Sequence, residues 1–215
     1  MADHLAFIKA NTRLISPPLV PEIQLHLADK TTKIWEQTEV ELHQRNIPPP
    51  FWAFAWAGGQ AVARHILDNE DFTDQRVFDF GAGGGLCAIA ASLKSAARID
   101  AFEIDPLALS AIEANALANQ ALNIKASLQN LLEHPEQRYK CDILLAADVF
   151  YEKAPATETL AFLQHQASNG IRVIAGDPER QYFPQNAFKR LATFDVPVDP
   201  DLEGVSVRRT SVWEL

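Results

Sequence analysis

Residues Val77 to Leu86 read V-F-D-F-G-A-G-G-G-L: an apolar strand carries an acidic side chain, Asp79, into the glycine run Gly81, Gly83, Gly84 and Gly85, and the apolar stretch Leu86 to Leu93 follows with helical character. A strand, a glycine turn and a helix in this order make a loop for a nucleotide-type cofactor, because glycine lets the backbone approach a ligand where a side chain would block it. The spacing discriminates between cofactors. A dinucleotide loop needs glycine at its first, third and sixth positions, and counting from Gly81 the sixth is Leu86. The run is D-x-G-x-G-x-G instead. A second anchor lies eighteen residues beyond Gly85, where R-I-D-A-F-E-I ends a strand in Glu103, a carboxylate that can accept hydrogen bonds from both hydroxyls of a ribose.

Regular elements must hold these groups in place. From Leu5 to Ile15 the apolar spacing predicts a short helix, stopped by Ser16, Pro17, Pro18 and Pro21; Ile23, Leu25 and Leu27 alternate with polar residues as a half-buried strand does; and a further helix is predicted over Lys33 to Arg45. Pro48, Pro49 and Pro50 end it, dividing an N-terminal appendage, residues 1–50, from a cofactor-binding core, residues 51–215. The core alternates strand and helix, the mark of a largely parallel sheet covered on both faces. A helix over Gly59 to Leu67 precedes strands at Arg76 to Phe80, Ile99 to Glu103, Ile124 to Leu128, Asp142 to Ala147 and Ile171 to Ala175, with a helix at Pro106 to Ala118. The fold class expected is α/β: a Rossmann-like, doubly wound sheet. In such a sheet ligands sit beyond the C-terminal strand ends, at the point where strand order reverses. The fourth core strand ends in A-A-D-V-F-Y-E-K, placing Asp148 and Tyr151 at that edge.

D-x-G-x-G-x-G resembles motif I of the class I S-adenosylmethionine-dependent methyltransferases, and D-V-F-Y resembles the D/E-x-x-Y/F signature of their family 16 protein-lysine methyltransferases. The stretch from Pro48 to Leu67, P-P-P-F-W-A-F-A-W-A-G-G-Q-A-V-A-R-H-I-L, together with D-V-F-Y-E and A-G-D-P-E-R, is similar to the branch that methylates lysine on the electron transfer flavoprotein β-subunit; the resemblance runs from about Trp35 to Arg180. It implies a seven-stranded sheet whose C-terminal strand, V-S-V-R-R-T-S-V-W-E-L, is antiparallel. It also implies S-adenosylmethionine as methyl donor and S-adenosylhomocysteine as product. The implied donor site comprises Asp79, which can bind the methionine ammonium, Gly81, Gly83, Gly85, Glu103, Asn130 near the adenine, and Trp56 beside the cofactor. Asn130 departs from the acidic residue common in the wider class. Asp148 would face the target lysine and Tyr151 would help form its channel, with Trp52, Phe54 and Trp56 as further wall. Each residue has a plain alternative: Asp148 as a cap of the helix that follows, Tyr151 as core, Asn130 as a solvent-facing loop amide, and the aromatic run Phe51 to Trp56 shared between core and channel. Asp177 and Arg180 either line the substrate entrance or pair with each other.

The chain has 215 residues, 47% of them hydrophobic, enough for one well-buried core, and its net charge of −9 argues against a nucleic-acid surface, which needs a basic stripe. Cys87 and Cys141 read as small buried groups, and the six scattered histidines offer no metal-ligand spacing, so no metal is expected. No apolar run reaches bilayer length and no signal sequence opens the chain, so a cytoplasmic protein with a protein substrate and no membrane partner is expected. Three rivals remain at this level: the same chemistry on another protein or a small amine, a catalytically silent cofactor-binding module, and an NAD-linked dehydrogenase, which Leu86 disfavours.

Overall fold

In a computed structural model, residues 2–32, 34 and 49–215 are described. The expected helix at Lys33 to Arg45 and the start of the proline boundary lie outside them. Helix α1 spans Ala2–Asn11, and strands β1 (Arg13–Ile15) and β2 (Leu25–Leu27) pair antiparallel. The predicted helix through Ile15 therefore ends four residues early. Asn11 donates its side-chain amide to the Phe7 carbonyl and Thr12 its hydroxyl to that of Ile8, closing the last turn, and the chain continues as strand.

The core alternates helix and strand except between β5 and β6, which only a 3-10 turn separates: α2 (Ala57–Asn69), β3 (Arg76–Phe80), α3 (Leu86–Leu93), β4 (Arg98–Glu103), α4 (Pro106–Ala118), β5 (Ile124–Leu128), β6 (Ile143–Ala147), α5 (Lys153–Ser168) and β7 (Arg172–Asp177). Strand β8 (Lys189–Pro197), the short α6 (Pro200–Glu203) and β9 (Val207–Glu214) complete it. Seven strands form one sheet in the order β5-β4-β3-β6-β7-β9-β8, parallel except for β9, which runs antiparallel to both neighbours. This is the Rossmann-like sheet with the antiparallel C-terminal strand that the motifs imply.

The two faces of the sheet follow from strand periodicity. Val77, Ile99, Ala101, Ile143, Leu145 and Ile174 join the cluster under α2, α3 and α4, while their neighbours Phe78, Phe102, Leu144, Ala146, Val173 and Ala175 join the cluster under α5. Strands buried on both faces read as continuous apolar runs, which is why L-L-A-A and V-I-A are legible as interior parallel strands. Strand order reverses between β3 and β6, so the ends of these two strands, Phe80 and Ala147, open the crevice where ligands bind. Among the described residues no helix is long and apolar enough to cross a membrane.

Candidate active site

The turn leaving β3 is built by three left-handed glycines: φ is +65° at Gly81, +55° at Gly83 and +82° at Gly85, the residue that caps α3. Their neighbours differ. A Cβ on Gly84 would sit 2.9 Å from the Trp52 carbonyl oxygen and one on Gly85 3.3 Å from Ile112, whereas one on Gly83 would meet nothing within 4 Å. Gly83 thus borders open space, the cradle a ligand of this turn requires. Asp79, at 2% exposure, accepts from the Ala88 amide at 2.9 Å, and burial, with Glu103 nearby, pushes its carboxyl up to about 7. Glu103, at the end of β4, clasps the same loop: Oε1 accepts from the Gly83 amide at 2.7 Å and Oε2 from the Ile104 amide at 2.8 Å. Burial raises its pKa as well, opposed by those amides, and the charge acting on it from Asp105 is negative. A buried and a half-buried carboxylate at one glycine turn suit a cationic ligand with ribose hydroxyls and repel a pyrophosphate. The residues present fit S-adenosylmethionine.

Asn130 sits after β5 as expected, and its side chain accepts from the Leu132 amide at 3.0 Å, capping the short 3-10 turn at Leu131–Glu133. Trp56 caps α2 and donates its indole N–H to the Phe51 carbonyl at 2.9 Å. Its ring lies 6.0 Å from those of Phe51 and Phe54, and Phe51 lies 5.8 Å from Tyr151, so one aromatic line runs from the start of α2 to the end of β6. Phe51 and Tyr151 are half exposed, at 48% and 51%. Trp52 does not belong to this wall. At 2% exposure it packs with Ile8, Ile34, Ala108 and Ala111 beneath the site. In the 3-10 turn Phe51–Ala53 successive residues are rotated by about 120°, so that Trp52 and Ala53 are buried while Phe51 faces outward.

Asp148 follows β6 in the left-handed region, φ +57°, with its amide bonded to the Gly176 carbonyl at 2.9 Å. It does not cap α5, whose N-cap is Glu152. Its Oδ2 accepts from the Gly59 amide in the first turn of α2 at 2.7 Å, and its Oδ1 accepts from Arg180. The Gly59 contact exists because glycines meet: a Cβ on Gly58 would lie 2.4 Å from the Gly176 carbonyl oxygen and 2.6 Å from Asp148 Oδ2. Asp177 and Arg180 do pair, at 3.6 Å, and they do so beside Asp148 with Asp177 fully buried. Asp177 accepts from the Arg180 amide at 2.6 Å, turning the chain so that the guanidinium reaches Asp148. Cys87, also here, donates its thiol to the Gly59 carbonyl at 3.6 Å, and burial raises its pKa well above the usual thiol value, so it is no nucleophile. Motif reading missed Gly58, Gly59 and Gly176 as site-builders; the only trace in the sequence was glycine inside an apolar helix and an apolar strand. Among the described residues no three His, Cys, Asp or Glu side chains group as metal ligands.

The sheet order, the glycine turn clasped by Glu103 and the carboxylate at the switch point together define a class I, seven-stranded S-adenosylmethionine-dependent methyltransferase. A family model described as ribosomal protein L11 methyltransferase (PrmA) matches residues 61–158. The electron transfer flavoprotein beta subunit lysine methyltransferase of Danio rerio is 33% identical over 96% of this chain and 81% of its own, and that of Homo sapiens 32% identical over 97% and 80%. The chain belongs to this lysine methyltransferase family. In fold it is similar to magnesium protoporphyrin IX methyltransferase from Synechocystis PCC 6803, solved with bound SAM, at a TM-score of 0.54 with 18% identity over 85% of this chain and 86% of that one.

Proposed function

We propose that this methyltransferase transfers methyl groups from S-adenosylmethionine to lysine side chains of the electron transfer flavoprotein β-subunit. The observation that carries the reading is the placement of Asp148 at the switch point, bonded to the first turn of α2, with Tyr151 three residues further on in contact with the exposed ring of Phe51 and Glu103 clasping the glycine turn. The relatives named for this substrate align over nearly the whole chain, whereas the ribosomal-protein family model reaches only from α2 into the start of α5. That difference favours the flavoprotein substrate over a ribosomal one.

When bound, S-adenosylmethionine supplies an electrophilic methyl carbon on a positively charged sulfur. Glu103 holds the ribose hydroxyls, Asp79 receives the methionine ammonium, and Gly81, Gly83 and Gly85 shape the turn beneath. Asn130 closes the adenine end and Trp56 the side toward the substrate. The lysine must present a lone pair, and at pH 7 deprotonating an amine of pKa about 10.4 costs roughly 4 to 5 kcal/mol. Desolvation along Phe51, Trp56 and Tyr151 lowers that cost, and these rings favour the lysine stem by apolar contact and cation–π attraction. Asp148 aims the nitrogen. The ammonium must lose one proton to solvent before transfer; the N–C bond would then form as the donor's S–C bond breaks, leaving S-adenosylhomocysteine, and the methylated nitrogen keeps its positive charge.

Incubation of the purified enzyme with the β-subunit and S-adenosylmethionine, followed by mass spectrometry, should show increments of about 14 Da per methyl group on lysine peptides; methylation of small amines but of no protein would reject the reading. In Asp148→Ala, donor affinity should stay within about threefold while transfer falls by at least roughly a hundredfold. Unchanged turnover would remove Asp148 from the reaction.

A further inference from the structure

A lysine must react as the free amine, yet the group that receives it is a carboxylate, and a lone carboxylate beside an amine holds it as the ammonium. A neighbouring side chain removes this conflict. Arg180 Nη1 donates to Asp148 Oδ1, and the same guanidinium lies 3.6 Å from Asp177 Oδ2 and from Glu203 Oε1, both beyond hydrogen-bond reach. Asp177 is fully buried, and its Oδ2 and Glu203 Oε1 find no hydrogen-bond donor. Three carboxylates therefore surround one guanidinium, and the geometry gives it to Asp148. Glu203 has its own cation: Arg208 on β9 reaches its Oε2 at 3.1 Å and its carbonyl oxygen at 2.5 Å. Among the described residues no cation other than Arg180 and Arg208 lies within ion-pair distance of Asp148, Asp177 or Glu203. From α2 comes the backbone amide of Gly59, and from α3 the buried, protonated Cys87 thiol. Asp177, on β7, is pushed up to about 6 by burial and is still mostly ionised at neutral pH, but it holds the Arg180 backbone amide and not the guanidinium by hydrogen bond.

We propose that Arg180 is a positioning residue that cancels the charge of Asp148, so that Asp148 aims the acceptor amine through a hydrogen bond without trapping it as an ammonium. The proposal rests on the lysine reading above. Arg180 touches neither the donor nor the methyl group in this role; it acts through Asp148. Replacing it by a neutral side chain leaves Asp148 with its full charge opposite the lysine, which raises the pH at which the amine becomes free.

The test is the pH dependence of kcat with the flavoprotein β-subunit as substrate, from about pH 6 to 10, for wild type, Arg180→Gln, Arg180→Lys, Asp148→Asn and the double variant Asp148→Asn/Arg180→Gln, each first shown to be folded by a thermal melt with S-adenosylhomocysteine. The rising limb of Arg180→Gln should move alkaline by about one unit or more, a loss of roughly tenfold at pH 7 that closes near pH 9.5. Arg180→Lys should stay near wild type. Asp148→Asn, left with an uncancelled guanidinium, should carry a limb about one unit more acidic than the charge-balanced double variant. If Arg180→Gln does not fold, this last pair reads the same charge effect. Equal losses at every pH with unmoved limbs would mean a structural role only and overturn the proposal. A wild type that leaves every β-subunit lysine unmodified would overturn the substrate reading and this proposal with it; a modified lysine with unshifted limbs overturns the proposal alone.

Discussion

Asp79 shows how one side chain can be both a structural cost and a binding asset. Its carboxyl moves from an ordinary value of 3.8 to about 7 because it is buried, and its one hydrogen bond, from the Ala88 amide, does not offset that burial. A raised acid favours the protonated form in the folded state, so the stability this group contributes is fully present below about pH 4 and is lost as pH rises through about 7. A cationic donor relieves the buried charge. The thermal stabilisation given by a fixed excess of S-adenosylmethionine should therefore grow between pH 5.5 and 8, and a flat or falling profile would contradict the assignment. Asp79→Asn keeps an acceptor for Ala88 and loses the charge: the donor-free protein should gain roughly 2 to 4 kcal/mol at pH 8 in urea unfolding and little near pH 4. Its donor affinity should fall at least about tenfold by calorimetry. Trp52 and Phe51 mark the limit of residue-by-residue reading. Both are large aromatics in one motif, and nothing in their types says which enters the core; the 3-10 turn that separates them belongs to the backbone.

At the scale of elements, the site depends on how closely α2 approaches the ends of β6 and β7. Gly176 meets Gly58 so tightly that a Cβ on Gly176 would lie 2.5 Å from the Gly58 carbonyl oxygen and from Val62 Cγ2. Only that approach lets the Gly59 amide reach Asp148. Gly58→Ala should destabilise the fold by about 1 to 3 kcal/mol, as overpacking does, and because the new methyl group displaces Asp148 Oδ2, methyl transfer should fall at least tenfold while donor binding holds. A kcat within twofold of wild type in a folded Gly58→Ala protein would show that the close approach is packing alone. The strands differ in legibility for a related reason. Interior strand β6 is apolar throughout and β7 is apolar between its terminal Arg172 and Asp177, but β8 escaped the sequence reading: it lies at the sheet edge, largely half-exposed, with a register shift between Arg190 and Ala192 that breaks its alternation.

Over the whole molecule, the N-terminal segment is joined to the core rather than hung beside it. Val20, Ile23, Leu25 and Leu27 lie in the same apolar cluster as the sheet and α2, and Asn119 bonds the Gln24 amide and carbonyl. Asn115, fully buried on α4, accepts from the His26 amide at 2.7 Å and donates to the Gly84 carbonyl at 2.8 Å, so one amide ties β2 to the cofactor turn. Asn115→Ala strands two part-buried backbone groups and should cost roughly 1 to 3 kcal/mol, with donor affinity reduced in step; a melting temperature within about 1 °C of wild type would disprove the link. The sequence by itself determined the sheet class, the glycine turn, Asp79, Glu103, and the presence of Asp148 and Tyr151 at a strand end, because each is written in local spacing: strand period, positive-φ glycines and the residues that end a strand. Tertiary structure alone decided which aromatics face the crevice, that Asp148 is held by Gly59 and Arg180, and that Asn115 spans two parts of the chain. These contacts join residues between 31 and 89 positions apart, and pairing across such separations is set by how elements pack, which no local pattern encodes.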